Sequence, residues 1–210
     1  LGCPRPPLLL GVINISENLV WIDCEMTGLN PEVDCLVEIA VVITNSELEL
    51  LDEGIDIIIK PTADGLANMN DFVREMHTSS GLIQEFDNGL DLAAAEQIVL
   101  EYVKRFVPDS RTAPLAGNTI GTDRMFINRY MPNLDNHLHY RNIDVSSIKE
   151  LSRRWYPRVY FNMPKKDGGH RALADIKESI KELQYYRKTV FVELPGPSSD
   201  AAKSAAASLD

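Results

Sequence analysis

Apart from Glu38 and the terminal Thr44, every residue of Leu36–Thr44 (LVEIAVVIT) is apolar, and most are β-branched. A run with no polar face predicts a strand covered on both sides, at the centre of a sheet. It is preceded by a second apolar run, Leu19–Met26 (LVWIDCEM), closed by Thr27-Gly28, and followed by a third, Gly54–Lys60, stopped by Pro61. From there the pattern changes period. Leu92, Ala95, Val99, Tyr102, Val103 and Phe106 recur three or four apart, the spacing of an amphipathic helix over 92–107 that ends before Pro108. A short strand at Pro114–Gly117 leads to a helix over 123–131, a strand at His139–Ile143, a helix through Ile148, Leu151 and Trp155, and a last helix from about Ala172 to Val190. Three strands followed by helix–strand–helix units predict an α/β domain with a mixed sheet.

Its 210 residues suit a single domain. Residues 1–17 mix proline with short apolar stretches and are read as an N-terminal extension, 18–192 as the domain, and 193–210, rich in Pro, Ser and Ala, as a disordered tail. No run approaches the ~18 apolar residues that would suggest a membrane span, and no internal repeat is present. The three cysteines, Cys3, Cys24 and Cys35, have neither disulfide-framework nor zinc-site spacing, which favours a reducing compartment. With 31 acidic and 21 basic residues the net charge is −10, which argues against a protein that coats long nucleic acids.

Three motifs carry chemistry. Asp23-Cys24-Glu25 sets two carboxylates on one face of the first strand, while Val20, Ile22, Cys24 and Met26 form the opposite face. Such a pair repels unless protonated, hydrogen-bonded or bound to metal. Asn118-x-x-x-x-Asp123 opens a helix, and Gly168-Gly169-His170 precedes Asp175 in the first turns of the last helix. Each admits a plainer reading alone: carboxylates on a solvated edge, a helix-start Asp123, an exposed loop histidine. Together they offer hard oxygen ligands suited to two Mg²⁺ or Mn²⁺ ions and a histidine able to take a proton from water. His137 and His139 form an H-x-H pair, but further ligands for a metal are lacking near them in sequence.

Asp23-x-Glu25, Asp123 and His170-x-x-x-x-Asp175 follow the pattern of the DEDDh 3′-to-5′ exonucleases. The segments WIDCEMTGL (21–29), PLAGNTIGTDRMF (114–126), HLHYRNIDVSSIKELSRRWYP (137–157) and HRALADIKESIKELQYYR (170–187) make the chain resemble the oligoribonuclease family, over roughly residues 19–191. The resemblance implies an RNase H-like three-layer fold, a mixed five-stranded sheet flanked by helices. It also implies that Asp23, Glu25, Asp123 and Asp175 hold two Mg²⁺ or Mn²⁺ ions, with His170 as the general base. The activity implied is 3′-to-5′ cleavage of very short oligoribonucleotides, dinucleotides especially, to nucleoside 5′-monophosphates.

By matched position, Leu29 would wedge between the two bases, Phe72 would supply an aromatic wall where the family has Trp, and His77 would lie near. Arg141, Ser146 and Ser147 would cap the 5′-phosphate with help from Thr119, where the family has Ser. Tyr140 would stack on a base from the other subunit of a homodimer. Ala174 stands where an Asp is usual, but that neighbour is not the family's ligand. SIKELQYYRKTVF looks like the eukaryotic form of the family, which implies mitochondria or cytosol. Residues 1–16 lack acidic groups, as a transit peptide would, yet hold a single Arg. Two rivals remain at this stage: a related nuclease acting on longer RNA or DNA 3′ ends, and a catalytically silent nucleotide-binding module. The first would need a basic track that is absent from the sequence, and the second would be expected to lack one of the five site residues.

Overall fold

The computed structural model describes residues 16–165 and 169–209; the N-terminal extension, apart from its last two residues, lies outside them. Strand β1 (Leu19–Met26) pairs antiparallel with β2 (Leu36–Thr44), and β2 pairs antiparallel with β3 (Ile55–Ile58). Helices α1 (Ala63–Asn68) and α2 (Asp71–Ser79), then a 3-10 segment (Leu82–Asn88), lead to α3 (Leu92–Phe106). Next come β4 (Pro114–Gly117), α4 (Gly121–Tyr130), α5 (Pro132–His137), β5 (His139–Asp144), α6 (Val145–Trp155), α7 (Pro157–Phe161), α8 (Ala172–Thr189) and α9 (Ser199–Ala207). The sheet order is β3-β2-β1-β4-β5, with β4 parallel to β1 and β5 parallel to β4. This is the mixed five-stranded sheet expected.

Every residue of β2 is buried, as an unbroken apolar run requires. The two faces of the sheet pack differently. Val20, Ile22 and Cys24 of β1 join Ile39, Val41 and Ile43 of β2 against α3, α4 and α5, through Val99, Val103, Phe126, Ile127 and Leu134. On the other face Trp21, Ala40, Val42 and Ala116 meet α8 through Ala172, Ile176, Ile180 and Tyr186. Trp21, Asp23 and Glu25 alternate with the first set, so the carboxylates stand on the α8 side. Indole Nε1 of Trp21 donates to Thr44 Oγ1 at 2.9 Å, which satisfies the one polar atom of a fully buried ring.

To α3, α4, α6 and α8, which the sequence pattern marked, the structure adds α1, α2, α5, α7 and α9. α1, α2 and α3 start at Thr62, Asn70 and Asp91, whose side chains accept from Gly65 N, Val73 N and Ala94 N at 2.9–3.0 Å. Pro132 does not merely end α4; it opens α5, where its missing N–H costs no hydrogen bond. The tail differs from the disordered segment expected of it: α9 forms there behind a Ser198 cap, an alanine-rich helix with no buried residue. Cys24 and Cys35 are free and buried, and Cys3 lies outside the described residues. Among the described residues no helix is long and apolar enough to cross a membrane.

Because Trp21 anchors the strand that carries Asp23 and Glu25, Trp21→Ala should cost about 3–5 kcal/mol. Urea denaturation checks this; a loss below about 1 kcal/mol would mean that α8 does not depend on the ring.

Candidate active site

Each site carboxylate is placed by a different element. Asp23 and Glu25 lie at the C-terminal end of β1, where Glu25 stands opposite Glu38 of β2. Asp123 sits in the first turn of α4, and its Oδ1 accepts from the Cys24 backbone N–H at 3.0 Å. Asp175 sits in the first turn of α8. Ligand atoms of Glu25, His170 and Asp175 all lie within 4.8 Å of one another, a spacing one cation could span. The structure therefore brings together the residues that three separate motifs supplied, and the plainer reading of Asp23 and Glu25 as solvated edge residues does not survive: Glu25 is buried and Asp23 half-buried.

Burial acts on three of them, and repulsion adds to it at Asp23 and Glu25. Glu25 is pushed up to about 8, first by burial, then by Glu38, Asp175 and Asp123, with Arg171 offsetting part. Asp123 rises to about 7 through burial, against the pull of the Cys24 N–H and its own N–H. Asp23 is held well above the ordinary carboxylate range by burial, then by Asp123, Glu25, Asp175 and Glu38. Such a cluster is what a divalent cation relieves: oxygen donors, close together, unfavourable as bare charges.

His170 is exposed, in a left-handed backbone conformation (φ 48°), at the edge of a cleft of about 410 Å³ that also touches Phe72, Glu75, Met76 and Gly169. Leu29 and Phe72 are 75% and 77% exposed, so neither is a core residue. Leu29 projects from a loop folded around Asp34, which accepts from Asn30 N at 2.9 Å and the Thr27 hydroxyl at 3.3 Å. A side chain at Gly28 would run into that carboxylate. His77 is different. It is wholly buried, with Nε2 2.9 Å from the Met26 carbonyl and Nδ1 4.0 Å from Glu25, edge-on to Phe86. It lies beneath Glu25 and, in this conformation, offers a ligand no surface.

Thr119, Ser146 and Ser147, three of the residues expected to cap a phosphate, gather where β4 and β5 end. Thr119, also left-handed (φ 53°), donates its N–H to Asp144 Oδ1 and Ser146 Oγ, both at 3.0 Å, and its hydroxyl is 3.1 Å from that of Ser146. Ser147 donates to Asp144 Oδ2 at 3.1 Å. Ser146, Ser147, Asp144, Glu150 and Leu151 line a second cleft of about 410 Å³. Its acidic walls are already engaged, Asp144 by the Thr119 and Ser146 N–H groups and Glu150 by Arg153 and Arg154. Tyr140 and Arg141 are both exposed on the edge strand β5, with the guanidinium 5.3 Å from the ring centre. Arg124 ties that strand to α4, reaching Asp135, the His139 carbonyl and Asn142 at 2.8–3.0 Å. The H-x-H pair has structural partners: His137 meets the Val107 carbonyl, and His139 Nδ1 accepts from Arg141 N.

Sequence reasoning passed over Asn118 as a site residue. Its Oδ1 accepts from Ser146, and its amide donates to Ser179 at 2.8 Å and Glu182 at 3.3 Å. It also passed over Glu38, although a lone charge within the most apolar strand was a signal available in the sequence.

The sequence profile of an exonuclease family, RNase T, matches residues 20–183. The chain is 68% identical to the oligoribonuclease of Leifsonia xyli over 92% of its length and 94% of that protein's. It is 58% identical to the oligoribonuclease of Streptomyces coelicolor, over 92% of this chain and 96% of that one. These relatives are bacterial, which corrects the eukaryotic-type likeness: the α8 segment does not mark that branch. Among solved structures, zinc-bound E. coli exonuclease I in complex with single-stranded DNA superposes with a TM-score of 0.64 at 14% identity. The match covers 83% of this chain but only 41% of that chain, so the likeness is one of fold.

Raised carboxyls fix a sign for stability. In metal-free protein Glu25 and Asp123 hold protons that the unfolded chain has released, so their contribution is complete at low pH and is lost as pH rises through about 7 to 8. In EDTA, Glu25→Gln should therefore melt above the wild type at pH 8.5, at about 2–4 °C per kcal/mol gained, and the gap should narrow toward pH 5. Mn²⁺ should raise the wild-type melting temperature more than that of the variant. A variant that melts lower than the wild type at pH 8.5 in EDTA would contradict this electrostatic picture.

Proposed function

This chain belongs to the exonuclease family, and from that premise we propose how it acts as a 3′-to-5′ exoribonuclease that reduces very short RNAs to nucleoside 5′-monophosphates. The observation that carries the reading is the meeting of four carboxylates and one histidine, from β1, α4, the segment before α8 and α8 itself, with the histidine at the edge of an open cleft. Asp23, Glu25, Asp123 and Asp175 would hold two Mg²⁺ or Mn²⁺ ions; their oxygen donors fit such ions, as do the raised proton affinities of Asp23, Glu25 and Asp123. When bound, the pair supplies positive charge for the attacking water and the leaving oxygen.

The protein's own groups do the rest. His170, solvent-facing beside Glu25 and Asp175, takes the proton from the attacking water at an imidazole nitrogen. Leu29 and Phe72 are apolar surfaces left open for bases to lie against. His77 supports Glu25 from below. Arg141, Ser146, Ser147 and Thr119 hold the substrate's 5′-phosphate, the guanidinium giving a planar fork matched to it. Tyr140 stacks on a base in a second copy's site, the working unit being a homodimer; its 71% exposure on an edge strand supports that reading. The mitochondrial expectation depended on the eukaryotic likeness and loses that support; the reading keeps the cytoplasm.

Two measurements test this. EDTA should abolish cleavage of dinucleotides, with Mn²⁺ or Mg²⁺ restoring it, and Asp23→Ala should lower turnover by orders of magnitude; cleavage persisting in EDTA would remove the metal assignment. Arg141→Ala should weaken binding of a 5′-phosphorylated dinucleotide far more than that of the unphosphorylated one, and so flatten the preference for two-mers over seven-mers. Equal losses on both lengths would move length selectivity elsewhere.

A further inference from the structure

His170 needs something to hold it. Its φ of 48° is a conformation that a residue with a Cβ disfavours. On one side it borders the open cleft, and a Cβ built on neighbouring Gly169 would touch nothing within 4 Å. The grip comes from the next residue. Arg171 Nε donates to Glu38 Oε1 at 2.8 Å, and Nη1 donates to Glu85 Oε1 at 2.9 Å, with Asp56 3.8 Å from Nη2. The second oxygen of Glu38 accepts from the Ala172 N–H at 3.1 Å, at the first residue of α8. Glu38 is wholly buried in β2, and Glu85 comes from the 3-10 segment beside α2.

We propose that Arg171 is a positioning residue for the reaction, its guanidinium bridging Glu38 and Glu85 so as to fix the backbone of His170 and aim the imidazole at the carboxylate cluster. The inference rests on the reading of His170 as the base. Bridging two carboxylates on different elements needs the planar fork; a lysine keeps the charge but offers a single point. Glu38 is well suited to its end of the bridge. It cannot move within the strand, and its two oxygens bind the Arg171 side chain and the Ala172 backbone N–H, the two residues after His170.

Arg171→Lys should lower kcat on a 5′-phosphorylated dinucleotide at least tenfold while KM stays within about twofold. Glu85→Gln, which loosens the exposed arm and leaves buried Glu38 paired, should give a smaller loss of the same kind and carries the test if Arg171→Lys fails to fold. The chain has four histidines, so imidazole NMR signals resolve them: in either variant the His170 signal should shift or broaden in metal-free protein while the other three hold. In a His170→Ala background, each second change should cost no more than about twofold. Full multiplicative losses there, a wild-type kcat, or an unmoved His170 signal would overturn the proposal. A wild-type rate for His170→Ala alone would instead remove the reading of His170 as base, whatever Arg171 does.

Discussion

The site depends on like charges being held together at the end of a buried strand. Asp23 and Glu25 share the α8-facing side of β1, Asp123 reaches them from α4, and Glu38 faces Glu25 from β2. The metal-free fold must offset that repulsion through packing elsewhere. The apolar strands on either side of these groups are what make the arrangement tolerable: β2 is buried along its whole length, and Trp21 is locked between β1 and α8 two residues before Asp23. A rigid sheet also limits relaxation. The carboxylates cannot separate without moving strands that are packed on both faces, so repulsion is relieved by protons or by cations.

The same logic explains why polar contacts run between parts of the site that are far apart in sequence. Ser179 donates to the Asp175 carbonyl at 2.9 Å and accepts from Asn118, whose carbonyl oxygen accepts from Ser146. Glu182, buried on α8, also accepts from the Asn118 amide and so fixes which end of that amide faces Ser146. The serine proposed to hold a phosphate and the helix bearing Asp175 are thus joined through one side chain, with donors and acceptors in a single order. An oriented chain of this kind holds two parts of a site in register, because turning any one group breaks a bond on each side.

Much of this was legible in the sequence because its signals were local or periodic. The first three strands were visible from their apolar runs, β4 and β5 as short stretches between helices, and α3 and α8 from spacing. The four carboxylates and His170 were visible as a pattern, and their convergence follows from a topology that sets β4 beside β1. The helices between Pro61 and Leu90 were not, because α1 is short and α2 buries little beyond His77; their starts are written in the caps at Thr62 and Asn70 instead. Nor could spacing say that His77 lies under Glu25 whereas Phe72, five residues earlier on the same helix, is exposed. That depends on where the 3-10 segment packs, and Phe86 from that segment closes over His77. Arg171 was invisible for a related reason: its partners, Glu38, Asp56 and Glu85, come from three elements distant in sequence.

Charge bears on the length of substrate the site can take. With 31 acidic against 21 basic residues, the surface repels polyanions, and that repulsion grows with each phosphate that must lie within a Debye length, roughly 8 Å at physiological salt, of the protein. A dinucleotide brings few phosphates, and on the function proposed above each would be met locally, by Arg141 and the Thr119–Ser147 cluster at one end and by metal ions at the other. Each further nucleotide would add an anion with no cation assigned to it. Affinity for a long chain would therefore fall even where its 3′ end fits, and an acidic protein with one compact binding site gains length discrimination without a wall built to exclude longer RNA.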